Sequence, residues 1–215
     1  MQFKPVFKIK KIKVFIDIVM YIELILLMCE HSLVGLTHEV LGIILFILFI
    51  MHNALNYRWY KLILKRKINP KMIPSLIINF LIFVTFIILI LSSFMISSYV
   101  FKGLISSNAM LARGLHMISS IWLYILVSIH LGLHLNAILY KIKGKLYFII
   151  LELIIILSGL IVIIFIDKMY EEMFYLTSFK NYREVILPID FIKKLSVSLS
   201  ISLIMFNLKN MKRRK

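Results

Sequence analysis

Six runs of apolar residues divide the chain, and short segments that hold most of its charged residues separate them. Their approximate limits are 14–30, 38–60, 73–99, 112–140, 146–167 and 189–208. A membrane-spanning helix needs about 20 mostly apolar residues, and each run has roughly that length. The pattern therefore predicts an all-α integral membrane protein, a helical bundle of five to six transmembrane helices.

The first and last runs are the least regular. Asp17 and Glu23 interrupt the first run, and Met28 is not the small residue that a signal-peptide cleavage site prefers, so we expect a retained helix. The last run begins with charged residues, and its middle contains Ser196, Ser198, Ser200 and Ser202. It either spans the membrane or lies on the membrane surface as an interfacial helix.

Lysine and arginine are distributed unevenly between the runs. They are concentrated in the amino-terminal tail, in the segments after the second and fourth runs, and in the carboxy-terminal tail. Because short cytoplasmic loops are rich in lysine and arginine, the alternation predicts six spans in the cytoplasmic (plasma) membrane, with both termini in the cytoplasm. The net charge of +16 is explained by this placement, so we expect a lipid bilayer and no nucleic acid as a partner.

Composition limits the other possibilities. Apolar residues make up 61% of the 215 positions, and no stretch is polar enough to form a separate soluble domain. We therefore predict a single membrane domain over residues 1–215. Cys29 is the single cysteine, which excludes a disulfide framework and a site with four cysteine ligands. The C-x-x-C-H motif of covalently attached haem is also absent from the sequence.

Four histidines form two pairs with the same spacing. His38 and His52 lie 14 residues apart on the second run, as do His116 and His130 on the fourth. Fourteen residues return to within roughly 40° of the starting face of a helix after a rise of about 21 Å. Both helices are expected to run from outside to inside, so His38 is level with His116, and His52 is level with His130.

Paired histidines on facing helices are typical haem ligands, because a six-coordinate iron takes one imidazole from each side. The pattern predicts two haem b groups bound without covalent attachment, one near each membrane surface. The proposed iron ligands are His38 with His116, and His52 with His130. His134 follows His130 by one helical turn and is the alternative inner ligand.

Several motifs carry a resemblance to a known family: His38-Glu39-x-x-Gly42, His52-x-x-x-Asn56-x-x-Trp59, His116, and His130-x-x-x-His134. With them, residues 13–142 resemble a bacterial family of cytochrome b-like membrane proteins, which are often associated with flavin-carrying electron-transfer proteins. The resemblance implies a four-helix haem-binding core over these residues, with a quinone and an extracytoplasmic flavoprotein as redox partners. Residues 143–215 would add further helices and a basic cytoplasmic tail.

The favoured function is electron transfer across the membrane, as a component of a respiratory or redox complex rather than as an enzyme alone. One alternative is a metal-ion transporter with an external zinc or iron site at Glu30-His31 and His38-Glu39. Another is a structural membrane subunit without haem. A metalloprotease is excluded, because His38-Glu39 does not continue as His-Glu-x-x-His.

Overall fold

The computed structural model describes residues 4–29, 33, 35–65, 69–102, 109–135, 139, 145–176 and 186–211. All regular secondary structure in these ranges is helical, which confirms the all-α prediction. The helices are α1 (Lys4–Leu27), α2 (Leu36–Leu55), α3 (Tyr57–Lys65), α4 (Ile73–Ile96), α5 (Ala109–His134), α6 (Leu146–Ile161), α7 (Met169–Met173) and α8 (Leu187–Met211). A π-helical turn, Val162–Ile166, extends α6.

Four of the described helices are long and apolar enough to cross a membrane, namely Leu36–Leu55, Ile73–Ile96, Met110–His134 and Leu146–Ile166. The length and composition of these helices are consistent with the predicted membrane protein. Large apolar side chains are exposed on α4 and α6, among them Phe80, Phe83, Leu91, Leu153, Ile154 and Leu157. So much exposed apolar surface is expected of helices that face lipid.

The second apolar run forms two helices rather than one. α2 ends at Leu55 and α3 begins at Tyr57. Between them, the Asn56 amide bonds back to the carbonyl oxygen of His52 at 2.9 Å, which satisfies one acceptor at the helix end. Trp59 therefore lies on α3 rather than on the same helix as His52.

Contacts between helix ends define the two ends of the bundle. Lys13 Nζ donates to Asn56 Oδ1 at 3.0 Å and links α1 to the end of α2. Lys209 Nζ donates to the carbonyl oxygen of Leu133 and links α8 to the end of α5. We call this end the basic end, because it carries Lys13, Arg58, Lys61, Lys145 and Lys209. The other is called the opposite end.

Glu39 connects α2 to α4 at the opposite end. Its carboxylate accepts hydrogen bonds from the backbone N–H groups of Ser98 and Val100, both at 2.8 Å, and of Tyr99 at 3.2 Å. The Ser97 hydroxyl donates a fourth at 2.7 Å. One carboxylate thus organises the turn that follows α4.

Four helices share an apolar layer at mid-depth. It contains Leu24 of α1, Leu45 of α2, Phe86 of α4 and Leu123 of α5, all buried. Phe86 also stacks on Phe49, with ring centroids 3.8 Å apart. Leu45 and Leu123 each lie midway in sequence between the two paired histidines of their helix. The layer therefore separates the two histidine levels.

The last helix is buried despite its polar sequence. Ser198, Ser200 and Ser202 are fully buried. The Ser198 and Ser128 hydroxyls lie 2.8 Å apart, and Ser202 donates to the Ser128 carbonyl oxygen at 2.8 Å. Ser200 donates to the carbonyl oxygen of Ile156 at 3.1 Å. Small hydrogen-bonding residues let membrane helices approach closely, so these serines form the contacts of α8 with α5 and α6.

Two glycines complete these contacts. A Cβ at Gly132 of α5 would clash with the backbone of α8 at Ser202 and lie 2.9 Å from Met205 Cβ. A Cβ at Gly159 of α6 would lie 2.7 Å from the carbonyl oxygen of Ser196. Real Cβ atoms essentially never come within 3.0 Å of another heavy atom. Both positions therefore require glycine for the observed helix separation.

Candidate functional site

His38 of α2 and His116 of α5 meet at the opposite end of the bundle. Their ring centroids lie 6.1 Å apart, with 65° between the ring planes. In the described part of the chain, α2 packs mainly on α1, and α5 packs mainly on α4 and α8. The two rings therefore approach each other although the backbones of α2 and α5 are not closely packed on one another.

The tautomer of His116 follows from its hydrogen bond to α4. Ser93 Oγ donates its hydrogen to the Leu89 carbonyl oxygen at 2.7 Å and lies 3.1 Å from His116 Nδ1. Because that hydroxyl has a single hydrogen, we assign the donor of the second bond to His116 Nδ1–H. In the neutral ring this leaves Nε2 with its lone pair, which is the form that binds a metal.

His38 and His130 each have a ring nitrogen that makes no hydrogen bond to the described residues. In each ring, Nδ1 is buried and has no hydrogen-bond partner among the described residues. Buried polar atoms are nearly always hydrogen-bonded, and leaving one unmet costs about 1–3 kcal/mol. Such exceptions are expected where a bound group completes the structure.

Open space lies beside His38. Gly42 follows it by one turn, and no heavy atom lies within 4 Å of the position where its Cβ would be. Ser120, one turn after His116, is a second small residue at this level. A small residue thus follows each histidine of this pair by one helical turn.

The ring of His52, at the basic end, is held by two side chains. Its Nδ1 lies 2.6 Å from Asp17 Oδ1, and the carboxylate can only accept, so Nδ1 carries the hydrogen. Asn56 Nδ2 lies 3.3 Å from Nε2 while also donating to the His52 carbonyl oxygen. A metal on Nε2 therefore requires the Asn56 amide to rotate.

His130 and His134 lie on the same face of α5, with ring centroids 4.6 Å apart. Both interact electrostatically with His52, so the structure brings all three histidines to the basic end. His130 is half-buried and His134 is exposed. The choice of His130 over His134 as inner ligand stays a prediction.

Sequence analysis missed two residues of this site. In the sequence Asp17 only interrupts an apolar run, although an ionisable residue within a membrane helix is itself a functional signal. Ser93 gave no such signal, because serines in membrane helices commonly bond to their own helix backbone. Both hold a histidine through its Nδ1.

The external zinc site of the transporter hypothesis receives little support. The Glu39 carboxylate is already engaged by four donors from residues 97–100. Glu30 and His31 lie outside the described residues. Among the described residues, no group of three or more His, Cys, Asp or Glu side chains could hold a metal ion. Haem iron needs no such group, because two histidines suffice.

No known protein family, curated protein or solved structure matches the chain. Any function therefore rests on its own residues. The relevant features are one facing histidine pair at the opposite end, three histidines at the basic end, and an apolar layer between them.

Proposed function

We propose that this protein is a cytochrome b-like transmembrane electron-transfer subunit that holds two b-type haems between α2 and α5. The His38–His116 pair carries the proposal. With metal–nitrogen bonds of about 2 Å and a ring radius of about 1.1 Å, one iron between two imidazoles places the ring centroids about 6 Å apart. The observed separation is 6.1 Å.

The surroundings of this pair also suit a flat macrocycle. Close backbone packing of α2 against α5 would leave no room for one, and these helices pack mainly on other partners. The empty space beside Gly42 lies one turn from His38.

For the inner haem we propose His52 and His130 as ligands. Asp17 holds His52 Nδ1, so that Nε2 is the atom for the iron once the Asn56 amide rotates away from it. His130 is the better partner, because it is more buried than His134 and repeats the 14-residue interval from His116. His134 lies about 6 Å further toward the basic end, where a haem propionate or lipid headgroup can bond to it.

Bound haem would supply the one-electron chemistry, and the residues of this chain hold, orient and insulate it. Leu45, Phe86 and Leu123 keep water out of the space between the two levels. Arg113 near the opposite end and Arg58 at the basic end bring positive charge to the levels where propionates need counter-ions.

We further propose that all six long helices span a plasma membrane, with the basic end in the cytoplasm. The burial of α8 supports this, because an interfacial helix keeps one face among lipid headgroups, whereas α8 packs on both α5 and α6. Both termini then lie on the cytoplasmic side. A quinone and an extracytoplasmic flavoprotein are the proposed redox partners, on the resemblance alone.

Haem content and optical spectra of the purified protein test the proposal. We expect two haems per chain by pyridine haemochrome assay, both extractable with acid acetone, and b-type bands in the reduced-minus-oxidised spectrum. His38→Ala and His116→Ala should each remove the same single haem, since both are ligands at one level.

His31→Ala is the control, because His31 belongs to neither histidine pair and both haems should remain. A purified, folded protein with no haem, or with zinc in its place, would refute the proposal. Loss of haem in the His31 variant with retention in the His38 and His116 variants would refute the ligand assignment.

A further inference from the structure

The two histidine levels differ in the group that holds the ring. At the basic end, a carboxylate oxygen of Asp17 lies 2.6 Å from His52 Nδ1. At the opposite end, a neutral hydroxyl, Ser93 Oγ, lies 3.1 Å from His116 Nδ1. The first contact is a short charge-assisted hydrogen bond, and the second is a longer neutral one.

This difference changes the ligand strength of the imidazoles. A carboxylate that accepts the Nδ1 hydrogen draws it away from the ring and makes Nε2 a more basic ligand. A more basic axial ligand stabilises ferric iron relative to ferrous iron, and so lowers the reduction potential. A hydroxyl that already donates elsewhere has a much smaller effect.

Positive charges at the basic end act in the opposite direction, because they favour the reduced state. However, Lys13 donates to the Asn56 side chain and Lys209 donates to the Leu133 carbonyl oxygen, while Arg58, Lys61 and Lys145 are exposed. Exposed charges are screened by water and salt over about 8–10 Å. Asp17 is itself half-exposed, but it acts through a direct hydrogen bond to a ligand and should therefore outweigh them.

Building on the proposed function, we propose that Asp17 is a positioning residue that makes the inner site the lower-potential of the two. Electrons then pass downhill from the level of His52 and His130 to the level of His38 and His116. With the basic end in the cytoplasm, the protein delivers electrons outward. Its donor is a reductant that reacts at the cytoplasmic side, and its acceptor is an oxidant on the outer side.

Optical redox titration of the purified haem-loaded protein tests this inference, with haem content and EPR signals measured on the same samples. In His38→Ala the remaining haem is the inner one, which assigns its midpoint potential. We expect that midpoint to be the lower of the two. Asp17→Asn should shift the inner equilibrium roughly tenfold toward the reduced form, about 59 mV for a one-electron couple. Asp17→Glu should keep most of the difference between the inner and outer midpoint potentials.

Glu23→Gln is the matched control, because it makes the same carboxylate-to-amide change in the same helix. Glu23 is buried six residues further along α1, and its replacement should leave the inner midpoint nearly unchanged. Two haems with the inner midpoint equal to or above the outer one would overturn the inference, as would equal shifts in Asp17→Asn and Glu23→Gln. Either result would leave the proposed function standing, whereas a protein without two haems would refute that function itself.

Discussion

Replacing single glycines by alanine should have opposite effects at different helix positions. In a helix interior, alanine is favoured over glycine by about 1 kcal/mol. At Gly42 a Cβ meets no atom within 4 Å, so Gly42→Ala should gain most of that amount. Gly132 and Gly159 face α8 closely, and there the added methyl must displace a neighbouring helix.

The size of the penalty follows from which atoms are in the way. At Gly132 the nearest atom is the Ser202 backbone carbonyl oxygen, which moves only if α8 moves. At Gly159 the nearest atom is Ser200 Cβ, followed by the Ser196 carbonyl oxygen at 2.7 Å. Overpacking of this kind costs about 1–3 kcal/mol. Subtracting the helix-propensity gain of about 1 kcal/mol leaves a net loss of up to about 2 kcal/mol at Gly132, and we expect somewhat less at Gly159.

Thermal unfolding of the haem-free protein in one detergent, followed by circular dichroism, measures all three variants against the haem-free unmodified protein. At about 2–4 °C per kcal/mol for a chain of this size, Gly42→Ala should raise the midpoint by a few degrees and Gly132→Ala should lower it by several. A midpoint at or above that of the unmodified protein in both Gly132→Ala and Gly159→Ala would show that α8 does not pack as described. A lower midpoint in Gly42→Ala would show that the space beside His38 is filled.

Three further predictions concern the candidate site and the opposite end. Gly42→Leu should abolish the haem at the level of His38 while the helix content in circular dichroism stays unchanged, and retention of two haems would argue against a macrocycle there. His130→Ala should remove the inner haem and His134→Ala should keep both, as read from haem content; the reverse result would place the ligand one turn further along. Burial raises the pKa of Glu172 to about 7, although Lys194 opposes this. The native state then retains a proton that the unfolded state loses near pH 4.5, so stability should fall as pH rises from about 4.5 to 7. Glu172→Gln should make the unfolding midpoint less dependent on pH over that range, and an unchanged dependence would contradict the assignment.

The histidine register could be predicted from sequence because it depends on local geometry alone. Two residues 14 positions apart share a helix face whatever surrounds the helix. Pairing His38 with His116 then required only the direction in which each helix crosses the membrane. The alternation of basic loops predicts that direction. The structure brings these two rings to 6.1 Å.

The role of α8 could not be predicted in the same way. Membrane-spanning helices are recognised in a sequence as continuous apolar runs. The serines of the last run lower its mean hydropathy. In the structure those serines are buried against other helices and bond to Ser128 and to the carbonyl oxygen of Ile156. Such a helix is recognised only once its partners are known, since hydrogen bonds to neighbours replace contact with lipid.

The contact between Asp17 and His52 depends on tertiary structure to a still greater degree. The residues are 35 positions apart on different helices. Their hydrogen bond of 2.6 Å forms only when α1 and α2 are each rotated about their own axes so that the two side chains face each other. Hydropathy determines neither helix rotation nor which acid meets which histidine. An acidic residue in an apolar run indicates that it has a polar partner. Only the structure shows that the partner of Asp17 is His52.

Helix α5 is fixed by one face, while the opposite face carries the histidines. Ser128 and Gly132 lie two residues before and after His130, roughly 160° around the helix from it. Their face packs closely on α8, where a methyl group at Gly132 would clash. The face of His116, Leu123 and His130 is turned toward α1, α2 and α4. The position of the histidines is thus set by contacts behind them, so a bulky cofactor between α2 and α5 need not disrupt the packing that orients its ligands.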